Sequence, residues 1–247
     1  MTQTTPLQTG YGRVYQRWHS YTPDHIAQQQ AYFTRLLQEL LPVDRQARIL
    51  DLGCGMGFTL ITLAQLGYTN GIGVDRDRDL VRGCQQQGLP VFHSPDGVAF
   101  LRDQVEPFDA ILLLDLLEHI PVQTCAAFLN AVYRSLRPGG RVILTTPNAN
   151  ASIAMRWRYI CWTHETSFTE TSLELRLLHA GFQDIDIRGY ELMQKPHHPL
   201  LPSRASLRWA LLRSFRLRRK LELIAELGWS ARELPITPNL LATGYRR

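Results

Sequence analysis

The 247-residue sequence has few cysteines, and they are not arranged as a scaffold. Cys54, Cys84, Cys125 and Cys161 are scattered, with no CxxC pair and no histidine at zinc-ligand spacing. That pattern argues against a disulfide framework or a zinc ribbon and for reduced thiols in a cytoplasmic protein. No run approaches the ~18 apolar residues that span a bilayer. The opening MTQTTPLQTG has no basic segment followed by an apolar one, so no secretory signal is expected. Acids are missing from one stretch: Leu192 to Leu221 holds eight Lys or Arg and no Asp or Glu. Since the net charge is +5, the remainder carries −3, and one segment makes the protein basic. Internal repeats and low-complexity tracts are also absent.

What is present is ordinary for a globular chain, at 45% hydrophobic and 20% charged residues. The length suits one domain with an elaboration. Thr22-Pro23-Asp24 reads as an N-cap with proline at the first helical position, opening a helix to about Leu41. Strands are expected at 47–53, 71–75, 89–93, 108–115 and 141–147, separated by helices at 58–67, 77–87, 97–103 and 122–136. FDAILLLD (108–115) is nearly all apolar, as a central parallel strand buried on both faces should be. The alternation implies βαβ units and a doubly wound, mostly parallel sheet. RPGG (137–140) reads as a turn, and residues 148–168 read as irregular and rich in aromatics. Thr169 to Ser172 caps a helix to Gly181, FQDIDIRGYE (182–191) alternates as a strand, and Pro196, Pro199 and Pro202 break the chain. A basic helix from Ser203 to about Leu227 and a closing strand at 239–247 follow.

ILDLGCGMGF (49–58) carries the sharpest signal. A strand, a glycine turn and a helix cradle a nucleotide, whether in a dinucleotide or an adenosyl compound. A pyrophosphate would sit at the helix N-terminus, where backbone N–H groups favour anions. Asp51, two residues before Gly53, would repel it and would suit a ligand with an ammonium group. The glycine spacing is GxGxG (53, 55, 57) and not GxGxxG. Asp75, at the end of GIGVD, can accept from both ribose hydroxyls or can cap the next helix. Asp96-Gly97 follows the third strand, where Asp96 can accept from an adenine amino group. DLLEHI (115–120) ends the fourth strand at the same crevice.

These motifs resemble the class I S-adenosylmethionine-dependent methyltransferases, over roughly residues 45–148. ILDLGCGMG matches the first motif, VD the ribose acid, FDAILLLDLLEHI the fourth-strand motif and LRPGGRVILTTPN the fifth. The resemblance implies a Rossmann-like, mostly parallel seven-stranded sheet with an antiparallel last strand in a three-layer α/β/α sandwich. It also implies that S-adenosyl-L-methionine is the cofactor and S-adenosyl-L-homocysteine the product. Asp51, Gly53, Cys54, Gly55 and Gly57 would hold the methionine part, Asp75 and Arg76 the ribose, and Asp96 and Gly97 the adenine. Leu114 and Asp115 would lie near the methionine end. The expected organisation is a cap over residues 1–44, a core over 45–190 and 237–247, and a basic insertion over 191–236. A nicotinamide-dependent oxidoreductase and an inactive methyltransferase-like binding module are the alternatives.

His164, in the aromatic segment, and His119, after the fourth strand, are the candidate bases for a hydroxyl acceptor, each with a structural alternative. Asp115, Glu118 and His119 also resemble an acid-x-x-Glu-His cluster that binds a divalent metal in ubiquinone-pathway O-methyltransferases, although many relatives carry such residues with no metal. In SLRWALLRSFRLRRKLELI (206–224), Leu207, Leu211 and Phe215 form one stripe, while Arg204, Arg208, Arg216 and Arg219 fall to another side. Such a helix can pack on the domain as a lid, with its arginines in water. It can also lie on an anionic membrane through residues 203–224. Nucleic acid ranks last as a partner, because no RNA-binding module is visible. The acceptor expected is a small molecule, a sugar or a lipid-linked precursor, and the expected location is cytoplasmic, with peripheral membrane contact.

Overall fold

The computed structural model describes residues 11–191 and 203–247. The expected proline breaks at 196, 199 and 202 lie outside those residues. A short helix α1 (Tyr11–Tyr15) and α2 (Pro23–Leu37) precede the alternating core. The core runs β1 (Ile49–Leu52), α3 (Phe58–Gln65), β2 (Gly71–Asp75), α4 (Arg78–Gln86), β3 (Val91–His93) and α5 (Gly97–Arg102). It continues with β4 (Phe108–Leu114), α6 (Val122–Ser135) and β5 (Leu136–Pro147). Beyond it come α7 (Ala154–Ile160), α8 (Glu170–His179), β6 (Gln183–Tyr190), α9 (Arg204–Leu227) and β7 (Asn239–Tyr245).

The strands form one seven-stranded sheet in the order β3-β2-β1-β4-β5-β7-β6. Only β7 runs against its neighbours, pairing with β5 and β6. The order reverses between β1 and β4, so a crevice opens at the carboxyl ends of those strands, where such sheets bind ligands. β4 earns its centre by composition: Phe108, Ala110, Ile111, Leu112 and Leu113 are all fully buried. One face packs with α6 and α8 through Leu129, Val132, Leu173 and Leu177, and the other with α2 and α3 through Leu37, Leu60 and Leu63.

Three local expectations change. RPGG does not end the element; it bulges out within β5, where Phe108 pairs with Leu136 but Ala110 pairs with Arg141. Gly139, at φ +79°, takes the left-handed conformation that the bulge needs. Residues 154–160, read as irregular, form α7, a seven-residue helix with no side-chain cap and no buried residue. Thr22 stands at the N-cap of α2 with proline following, yet its side chain makes no capping bond.

α9 reverses the lid expectation. Its stripe residues Leu207, Leu211 and Phe215 are 63%, 50% and 57% exposed. Of the arginines expected in water, Arg204 and Arg208 are exposed, but Arg216 and Arg219 turn inward. Arg216 pairs with Glu191, and Arg219 donates to the Asn150 carbonyl (3.1 Å). Lys220 donates to the Arg232 carbonyl (3.0 Å), tying α9 to the turn Trp229–Glu233. Guanidinium groups that find a carboxylate and a carbonyl anchor this helix, while Ser206 and Leu223 supply its buried positions.

Candidate active site

β1 delivers Asp51 to the crevice with 2% exposure. Burial pushes its carboxyl up to about 7, opposed by a hydrogen bond from Thr59 and reinforced by nearby Asp75. Its Oδ2 is buried with no hydrogen-bond partner. A buried carboxylate oxygen left open is costly unless a cationic ligand meets it, and the ammonium of a methionine moiety fits that demand.

The glycine loop wraps the same point. Gly53 (φ +81°) and Gly57 (φ +72°) are left-handed. A Cβ on Gly57 would lie 2.6 Å from Leu89 Cδ1, and one on Gly53 2.9 Å from Leu116 Cδ1; those leucine ends could shift, so it is the left-handed torsion that requires glycine at both. Asp75 does not cap α4. It accepts from the backbone N–H groups of Gly55 (Oδ2, 2.8 Å) and Asp77 (Oδ1, 2.8 Å), linking β2 to the loop, while Asp77 is the cap. Burial raises the Asp75 pKa. Each of its oxygens keeps a lone pair for a ribose hydroxyl.

Asp96 caps α5 through Oδ1, which accepts from Val98 (2.8 Å) and Ala99 (3.1 Å). A Cβ on the neighbouring Gly97 would make only an ordinary contact with Leu52 at 3.4 Å, so sterics do not demand glycine there. Arg76 is exposed at the end of β2, and its charge lowers the His119 pKa from across the crevice. Leu114 is half-buried as the last residue of β4. Asp115 follows in a left-handed conformation (φ +51°), rare for a non-glycine residue. It is open to solvent as a residue, yet its Oδ1 accepts from Thr145 (3.0 Å) and Asn239 (3.1 Å), and desolvation raises its pKa.

Some of the site is invisible in the motifs. Cys54 and Cys84, apart in sequence, meet behind the loop; Cys84 Sγ donates to the Gly55 carbonyl (3.3 Å), and its proximity and burial hold Cys54 as a thiol. The N-terminal segment covers the loop from the other side. Gly12 N–H donates to Asp77 (2.8 Å) and Tyr21 OH to the Met56 carbonyl (3.0 Å). A groove of about 750 Å³ between α5 and α6 lies apart from this crevice and shares none of the site residues.

Beyond the end of β4, the structure brings His119 and His164 together, with ring centroids 4.5 Å apart and edge to face. His164 Nδ1 lies 2.7 Å from the Trp157 carbonyl; a carbonyl only accepts, so Nδ1 carries the proton and Nε2 the lone pair. His119 Nδ1 lies 2.7 Å from Thr163 Oγ1. Burial keeps both rings neutral: the His119 pKa falls to about 4, helped by His164 and Arg76, and that of His164 is lowered mainly by desolvation. The Asp115, Glu118 and His119 set does not converge. Glu118 is 1% exposed, accepts from Thr146 (3.1 Å) and is driven well above the usual carboxylate range by burial and by Asp115.

A crevice at the sheet's switch point, an open buried carboxylate and a glycine loop tied to a second acid define an S-adenosylmethionine-dependent methyltransferase. The profile of the Methyltransferase domain family matches residues 25–187, and the chain belongs to that family. The nicotinamide alternative falls with that membership. It is 33% identical over 183 residues to a ubiquinone biosynthesis O-methyltransferase of Cereibacter sphaeroides, covering 67% of this chain and 72% of that protein. A namesake from Xylella fastidiosa is 32% identical over 114 residues, 44% of this chain and 45% of that protein; the chain thus matches less than half of that relative's length. Among solved structures it is similar to a SAM-dependent methyltransferase of Archaeoglobus fulgidus (TM-score 0.64, 18% identity, 88% of this chain and 94% of that one). It is also similar to a phosphoethanolamine N-methyltransferase of Haemonchus contortus in complex with S-adenosyl-L-methionine (TM-score 0.56, 16% identity, 95% of this chain and 60% of that one). At these identities the likeness is one of fold. Among the described residues, no helix is long and apolar enough to cross a membrane.

Proposed function

We propose that this chain methylates a hydroxyl group of a small-molecule, sugar or lipid-linked acceptor, with the His119–His164 pair on the acceptor side. The observation that carries this reading is the His164 tautomer: the Trp157 carbonyl holds Nδ1–H and leaves a neutral Nε2 lone pair beside a second neutral imidazole. The bound cofactor supplies an activated methyl group on a sulfonium. Asp51, Gly53, Cys54, Gly55 and Gly57 hold its amino-acid end, Asp75 and Arg76 its ribose, Asp96 and Gly97 its adenine, and Leu114 and Asp115 close the methionine side. What remains for the chain is to align the acceptor, exclude water and draw off the hydroxyl proton. His164 Nε2 takes that proton, and His119 flanks it. Trp157 Nε1 and Ser167 Oγ, buried without partners in the same segment, are polar groups that a bound acceptor can satisfy.

The relatives named as O-methyltransferases support oxygen as the target. The test is transfer of labelled methyl from S-adenosylmethionine to a panel of phenols, sugars and polyprenylated phenols, with matched amines. Methylation of amines alone would overturn the choice of oxygen, and cofactor binding without transfer to any acceptor would favour the inactive module.

The organisation proposed is a catalytic core over 45–190 and 237–247, with residues 1–44 and the insertion 191–236 on the acceptor side. The exposed stripe Leu207–Leu211–Phe215, with Trp229 at 69% exposure and a basic segment around it, supports peripheral docking of α9 on an anionic membrane. Liposome flotation tests it: binding expected with anionic lipid, weakening with salt; equal recovery without anionic lipid would sink it.

A further inference from the structure

The two acceptor-side histidines have a third neighbour that the sequence spacing conceals. One ring nitrogen of His119, one of His164 and the Cys161 sulfur all lie within 4.8 Å of one another, and all three residues are half-buried. They come from separate places, the turn after β4 and the segment that leaves α7. Their surroundings orient them. The Trp157 carbonyl fixes the His164 tautomer, and the Thr163 hydroxyl lies 2.7 Å from His119 Nδ1 and 3.2 Å from Cys161 Sγ. Outer partners of this kind hold metal-binding imidazoles in register.

We infer that His119, Cys161 and His164 form a binding site for a divalent transition metal of the zinc class. Two imidazoles and a thiol favour zinc or cobalt over magnesium, which seeks oxygen. Tetrahedral zinc with its usual bond lengths separates such ligands by roughly 3.3–3.6 Å, so side-chain rotation closes the cluster. The neighbouring carboxylates do not belong to the set, because Glu118 and Asp115 are already turned to Thr146, Thr145 and Asn239.

Three protein ligands leave a fourth position open. An acceptor hydroxyl oxygen held there has its pKa lowered and releases its proton to solvent, so His164 ligates in that state and the ion replaces it as activator. This catalytic consequence rests on the O-methylation reading; the binding site itself does not.

The test is titration of the full, chelator-stripped protein with Co²⁺, followed by absorbance. One equivalent should bind, giving the visible bands of tetrahedral cobalt and a near-ultraviolet thiolate-to-cobalt charge-transfer band, both removed by Zn²⁺. Cys161→Ser should abolish the charge-transfer band, and His164→Ala should weaken binding at least about tenfold. Cys125→Ala, in the core, should change neither. S-adenosylhomocysteine binding and thermal unfolding show that each variant is folded. No saturable binding at micromolar Co²⁺ would overturn the inference, as would a charge-transfer band that survives Cys161→Ser. If cobalt binds as described while no hydroxyl acceptor is methylated, the O-methylation reading fails and the metal site stands.

Discussion

The two sides of the crevice are built by different means. On the cofactor side, backbone does most of the work: left-handed glycines, N–H groups from Gly55 and Asp77 on Asp75, and one acid aimed inward. The side proposed to receive the acceptor is built from side chains in a helical turn, a short helix and a loop, with polar contacts spaced 44 residues apart in sequence, as between His119 and Thr163. Backbone geometry suits a cofactor that never changes. Side chains on loops can be exchanged one at a time, which suits an acceptor that differs between enzymes.

Four experiments can break or sharpen that division. The largest effect is expected from His164→Ala. Turnover should fall about 10²–10⁴-fold while S-adenosylhomocysteine binding, by calorimetry, stays unchanged; a matching loss of binding would join the two sides. Asp51→Asn should do the reverse, weakening cofactor binding by about 30–150-fold for a charge-assisted contact worth about 2–3 kcal/mol. The pH dependence is next. With the Asp51 carboxyl near 7 in the fold, cofactor affinity should rise about tenfold per pH unit below 7 and level off above it, and Asp51→Asn should flatten the profile. The smallest effect belongs to the α9 surface. Leu211→Ser with Phe215→Ser should abolish flotation with anionic vesicles and shift stability by only about 0.5 kcal/mol, since both residues are already exposed.

The same division explains what could be read in advance. β1, β2 and β4 were legible because continuous apolar runs and glycine punctuation report a buried parallel sheet directly. The meeting of Asp51 and the glycine loop at the end of β1 followed from their spacing in the sequence. Asp77 as the α4 cap, Asp96 as the α5 cap and the pairing of Cys54 with Cys84 were not legible, because a side chain's partner depends on where two distant strands end. α7 was missed because it is only seven residues long, has no side-chain cap and buries no residue that would mark an apolar face. The α9 stripe was found, but its direction was not: amphipathicity shows that a helix has two faces, and only the contacts of Arg216 and Arg219 reveal which one meets the protein. Cys161 was not connected to His119 and His164 for the same reason, since the three are neighbours only after folding.

Asp51 has a further consequence for the lifetime of the molecule. A group whose pKa is higher in the fold than in the open chain favours the fold at low pH, and that support is withdrawn as pH climbs from about 4 toward 7. Near neutrality the unliganded protein therefore stands closer to unfolding than the liganded one, and proteases act on what unfolds. Bound methyl donor therefore protects the fold more strongly as pH rises through the Asp51 range. Pulse proteolysis at pH 6 and pH 8 should show protection by S-adenosylhomocysteine growing with pH, and Asp51→Asn should erase the difference.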